Sequence, residues 1–118
     1  MSKPELEFTP VQNVAWTPVP DGVPGLYERI LARDPRTGVV TRILRFDPGT
    51  DTSPMGAVVH DFWEEVYILE GELHDLSLGK TFGAGSYACR PPGMRHGPWR
   101  TERGCLTFEV RYHAREEP

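Results

Sequence analysis

The chain is short of most features that mark an exported, membrane-bound or nucleic-acid-binding protein. It holds only two cysteines, Cys89 and Cys105, in 118 residues, too few for a disulfide framework. No stretch approaches the roughly 18 uninterrupted apolar residues of a membrane span. The opening Met1-Ser2-Lys3-Pro4-Glu5-Leu6-Glu7 has no apolar core and does not read as a secretory signal. The expectation is a cytoplasmic protein with free thiols. The formal charge of −4 contains no run of like sign, and basic residues alternate with acidic ones, so no nucleic acid or anionic membrane is expected as a partner. Long helices are missing too, because twelve prolines and twelve glycines leave no uninterrupted window for one.

What remains is the punctuation of an all-β protein, long enough for one core and not for two. The expected organisation is a single domain over 1–118, with an amino-terminal arm or edge strand over 1–24, a barrel core over 25–112 and a charged tail over 113–118. Val11 to Trp16 lies between prolines and reads as an edge strand or arm. Leu26 to Ala32 and Val39 to Phe46 flank Asp34-Pro35-Arg36-Thr37-Gly38, which predicts a hairpin. Glu65 to Leu69 reads as a strand, Glu70-Gly71 as a turn, and Glu72 to Leu78 as a continuation that sets His74, Leu76 and Leu78 on one face. Phe82 to Gly85 reads as a short edge and Ser86 to Arg90 as a further strand. A last strand, Cys105 to Tyr112, sets Leu106, Phe108, Val110 and Tyr112 on one face, and Thr107, Glu109 and Arg111 on a polar one.

Two stretches carry chemistry. His60 and Glu64 stand four residues apart at the mouth of the run Val66-Tyr67-Ile68-Leu69, and His96 follows the turn Pro91-Pro92-Gly93. Two imidazoles and one carboxylate on one side of an ion form the facial arrangement that leaves positions open for substrate or oxygen. Imidazole and carboxylate suit iron, zinc, manganese and nickel alike, so residue types do not select a metal. His74 is a candidate fourth ligand or a lumen-facing group supporting the others. His113 is a poorer candidate, and Glu65 replaces Glu64 if the strand carries a bulge. Phe62, Trp63, Tyr87 and Cys89 are candidates to line a substrate pocket. Arg42, Arg45 and Arg90 either anchor an anionic substrate or lie on a solvated face.

These stretches resemble the two motifs of the cupins, which implies a double-stranded β-helix, or jelly-roll barrel, of the RmlC-like type. Glu64 to Gly71 keeps the six-residue gap of the first motif, and His60 falls on its second histidine. Gly85, Pro91, Gly93 and His96 keep the second. Val58 stands where the first motif has its leading histidine, and Arg100 where the second has an asparagine. Arg45-Phe46-Asp47-Pro48-Gly49 and the run from Glu64 to Gly71 are similar to a small bacterial group of acetylacetone-cleaving dioxygenase-like proteins and ChrR-type cupin domains. That resemblance implies a metal-dependent, dioxygenase-like oxidoreductase acting on a small carbonyl compound, with His60, Glu64 and His96 holding one divalent ion. The alternative is a binding or sensor module without turnover. An isomerase or epimerase of the same fold would need a general base in the lumen, such as His74 or Tyr87. Pairing as a homodimer through the segment around Val11 to Trp16 is also implied.

Overall fold

The computed structural model describes residues 2–114. Eight strands follow in order: β1 (Thr17–Pro18), β2 (Leu26–Arg33), β3 (Val40–Phe46), β4 (Trp63–Asp75), β5 (Lys80–Gly83), β6 (Tyr87–Arg90), β7 (Trp99–Arg100) and β8 (Cys105–Tyr112). All pairings are antiparallel, in the order β1-β2-β3-β8-β4-β5, with β6 and β7 also on β4. The sheet curls into the jelly-roll barrel that the all-β punctuation and the motifs imply. β4 is its spine. Its first half pairs with β6 and β8, while its second half pairs with β5 and β7.

The hairpin of β2 and β3 forms where the Asp34-Pro35 turn predicts it, with Leu26 opposite Phe46 and Arg33 opposite Val40. Asp34 closes that turn by accepting the Arg36 N–H at 2.9 Å. The amino-terminal segment departs from expectation. Val11–Asn13 is a single 3-10 turn, and only Thr17–Pro18 joins the sheet. Prolines 10, 18 and 20 remove N–H donors from this stretch, so it cannot sustain a ladder. Trp16 holds the arm against its own sheet instead, with the guanidinium groups of Arg29 and Arg45 over its ring at 4.1 and 4.8 Å.

One inward-outward assignment is corrected, and the inner face of β8 is fixed by its pairing. Glu70-Gly71 is no turn: β4 runs unbroken for 13 residues, with a bulge against β8 between Ile68 and Glu70. A bulge adds one residue to one strand and so reverses which side chains face inward. Glu64, Val66 and Ile68 are buried before it, Leu73 and Asp75 after it. His74 therefore points away from the lumen, and Leu78 is exposed in the following turn. On β8 the polar face is the inner one: Thr107 and Glu109 are buried, while Phe108 and Val110 face outward. The cause is pairing. Register with β4 sets Arg111 opposite Glu64 and Glu109 opposite Val66.

The apolar core fills one end of the barrel. Leu26, Leu44, Phe46, Ile68, Leu73 and Cys105 pack together, with Val19, Val23, Met55 and Trp99 against them. Each such side chain contributes about 1.5 to 3 kcal/mol on burial. The other end is polar and carries the site.

Candidate metal centre

Three side chains converge from three parts of the chain. Glu64 projects inward from the start of β4, between its partners Arg90 on β6 and Arg111 on β8. His96 comes from the loop after β6, pinned by a two-bond bridge to Val58, N–H to carbonyl at 3.0 and 2.8 Å. His60 lies two residues beyond Val58, its carbonyl accepting the Gly93 N–H at 2.9 Å. One ligand atom from each of the three residues lies within 4.8 Å of the others. The Nε2 atoms of His60 and His96 stand 3.7 and 3.6 Å from the two Glu64 oxygens.

The protonation states suit an ion. Nδ1 of His96 lies 3.2 Å from the Met94 carbonyl. A carbonyl only accepts, so Nδ1 carries the proton and Nε2 presents its lone pair toward Glu64. Burial lowers the pKa of His96, and the charge of Arg90 adds to that. Burial likewise lowers His60, against the attraction of Glu64. Burial by itself raises a carboxyl, but Arg111 and Arg90 outweigh it and bring Glu64 down to about 2. At neutral pH the site thus presents two neutral imidazoles and a bare carboxylate, the forms that bind metal. Arg90 Nη1 donates to one Glu64 oxygen at 2.8 Å and Arg111 Nε to the other at 2.9 Å. Each oxygen keeps lone-pair capacity beyond that bond, so the donor set fits a divalent ion.

The site opens on a cavity of about 450 Å³ lined by His60, Glu64, His96, Val58 and the apolar core residues Leu26 and Phe46. A buried ionic network runs along the wall. Arg42 on β3 donates to Glu28 at 2.6 Å and to Glu109 at 3.1 Å. Burial pushes Glu109 up to about 7, with Arg42 opposing and the Glu64 charge reinforcing the rise.

The remaining candidates separate clearly. Phe62 stacks on His60 with ring centroids 4.4 Å apart, so it buttresses the site. Trp63 lies on the outer face, stacked on Tyr112. Tyr87 is exposed and donates its hydroxyl to Glu65, as does Tyr112 at 2.6 Å. This holds Glu65 outside and leaves Glu64 as the inner carboxylate. Cys89 is exposed, and His74 bonds Thr81 at 2.8 Å in a separate cleft with Arg100 and Glu102. Tyr87, Cys89 and His74 all lie outside the cluster of His60, Glu64 and His96. His113 meets Phe62 edge-on at 6.1 Å, outside the ligand cluster. Cys105 is buried in the core, its thiol pushed up to about 12 by burial. Arg111, Glu109, Glu28 and Thr107 are the residues that sequence reasoning missed. Fixing Glu64 inward and pairing β8 against it would have found three of them.

A profile of the ChrR cupin-like domain matches residues 5–115. The chain belongs to the ChrR cupin-like family. Solved structures agree on the fold of this cupin. An RmlC-like cupin from Shewanella frigidimarina NCIMB 400 is 22% identical with a TM-score of 0.75, covering 98% of this chain and 97% of that one. An acetylacetone dioxygenase from Acinetobacter johnsonii is 18% identical with a TM-score of 0.73, covering 92% of this chain and 75% of that one. The complex of Rhodobacter sphaeroides SigE with the anti-sigma ChrR gives 21% and 0.63, over 84% of this chain and 50% of that one. No curated protein matches the chain. Among the described residues, no helix is long and apolar enough to cross a membrane.

Proposed function

We propose that this cupin is a metal-dependent enzyme acting on a small carbonyl compound in the manner of a dioxygenase. The observation that carries the reading is the convergence of His60, Glu64 and His96 on one wall of a cavity large enough for a small molecule. A divalent ion held by these three residues supplies Lewis acidity toward a carbonyl oxygen and, if it is iron, reactivity toward dioxygen. The chain itself supplies the rest. Arg90 and Arg111 keep Glu64 ionised and aimed at the imidazoles, Phe62 fixes the His60 ring, and the apolar end of the cavity excludes water from the far side of a ligand.

Oxygen uptake by Fe(II)-loaded protein, measured across a panel of β-diketones and short oxo acids, tests this. Uptake with at least one member, lost in His96→Ala, is the expected outcome, and no uptake with any member would count against an enzyme. The family assignment favours a second reading, in which metal or ligand occupies the cavity without turnover and the domain acts as a sensor. Ion retention without oxygen uptake would select it.

We also propose a homodimer. β1 is the terminal strand of its sheet, so its outer edge is open to a second copy. Light scattering at micromolar concentration is expected to give twice the mass of one chain, and a mass near 13.3 kDa would remove this proposal.

A further inference from the structure

We propose that the ligand of this cavity is an oxo acid, a small carbonyl compound whose carboxylate sits on the guanidinium groups of Arg111 and Arg90 beside the metal ligands. The inference rests on the metal-site reading above and narrows its substrate class. It starts from the charges that face the cavity. Arg42, Arg90 and Arg111 stand against Glu28, Glu64 and Glu109, three of each sign. Asp21 and Arg33, both exposed, are one of each sign as well. The lining side chains are neutral as a set when Glu109 is ionised and carry one positive charge when it is protonated, and a divalent ion adds two positive charges that no described residue compensates. An uncompensated charge beside the buried Glu64 and His96 is costly. A ligand that brings its own negative charge, as a carboxylate or an enolate, reduces the imbalance, whereas a dicarbonyl compound that stays neutral leaves it in place; the free arginine donors favour the carboxylate.

The donors for a carboxylate are present. Among the described residues, Arg111 makes its hydrogen bonds and ion pairs through Nε alone, to Glu64 and toward Glu109. Its two terminal nitrogens are left for a ligand, in the forked geometry that matches a carboxylate. Arg90 spends only Nη1, on Glu64. Both side chains line the cavity and are partly exposed to solvent, 25% for Arg111 and 14% for Arg90.

A second observation points to a ligand independently. Thr107 Oγ1 and Arg42 Nε are buried and have no hydrogen-bond partner among the described residues. Their residues are 1% and 4% exposed, and both line the cavity. Buried polar groups are nearly always paired. The two lie on adjacent strands below Arg111, Arg42 opposite Glu109 and Thr107 opposite Leu44. They mark a polar step between the metal ligands and the apolar floor of Leu26 and Phe46. An oxo or hydroxyl oxygen on the body of the ligand would satisfy them only with a small shift of these side chains, since neither atom is accessible as it stands.

Pyruvate and 2,3-butanedione test the inference, since they share a shape and differ in a carboxylate against an acetyl group. Zn(II)-loaded protein allows calorimetric titration without oxidation. Pyruvate is expected to bind at least about tenfold more tightly than 2,3-butanedione. Compared at matched zinc occupancy, Arg111→Gln should abolish the preference, and Arg111→Lys should restore part of it. Equal affinities in zinc-loaded wild-type protein would overturn the oxo-acid inference and leave the metal site standing. Failure of the wild-type protein to hold zinc would overturn the metal-site reading and this inference together. The wild-type comparison decides the ligand class, and the Arg111 variants decide whether arginine holds its carboxylate.

Discussion

Replacing Gly71 with alanine is expected to destabilise the fold by on the order of 3 kcal/mol or more, a loss of about 12 °C in melting temperature for a domain of this size. Gly71 sits opposite Cys105 just past the bulge of β4, at φ 80°. A Cβ placed there would lie 2.0 Å from the Gly104 carbonyl oxygen and 2.9 Å from the Cys105 Cα. Both are backbone atoms, at the first residue of β8 and the one before it, so relief requires moving the start of β8 itself. Gly79 is the control. It also has a positive φ, 65°, but a Cβ there meets nothing within 4 Å. Gly79→Ala should cost only the conformational penalty of about 1 kcal/mol. Thermal unfolding of the two variants measures the difference, and equal shifts would show that close approach of β4 and β8 is not what requires Gly71.

Arg42→Met should be as damaging for a different reason. The guanidinium lies between Glu28 and Glu109, with side-chain exposures of 5, 10 and 3%. Removing the central cation leaves two buried carboxylates without their partner, a change that costs roughly 3 to 5 kcal/mol. The loss should depend on pH. A carboxyl whose folded pKa is raised above its unfolded value destabilises the fold fully above the folded pKa. That penalty fades as pH falls toward the unfolded value near 4.3. Glu109 already stands at about 7 in the native protein, and loss of Arg42 can only raise it. The gap between variant and native protein should therefore be widest near pH 8 and narrow toward pH 5. A triple variant that also replaces both glutamates with leucine should regain much of the stability, because the uncompensated charges are gone. A gap independent of pH would contradict this account of the network.

The fold was legible wherever turn chemistry and motif spacing agreed. The Asp34-Pro35 hairpin, the β8 limits and the approach of His60, Glu64 and His96 all follow from residues read in order. The errors share one physical source. Alternation along a strand tells which residues share a face, not which face is inside. A cavity that carries Glu28, Arg42, Glu64, Glu109 and Arg111 reverses the usual assignment of polar residues to solvent. Thr107-Phe108-Glu109-Val110-Arg111 therefore reads inside out. The bulge after Ile68 reversed the parity of β4 once more and carried His74 outside. Long-range pairing fixes both points, and no local pattern in β4 or β8 encodes it.

Elemental analysis after reconstitution with Fe(II), Zn(II), Mn(II) and Ni(II) in turn, run beside His96→Ala, tests the central claim most directly. The geometry of His60, Glu64 and His96 predicts retention of about one ion per chain for at least one metal, lost in the variant. Native protein that retains none of the four, or a variant that retains as much as the native protein, would contradict a metal centre at these three residues.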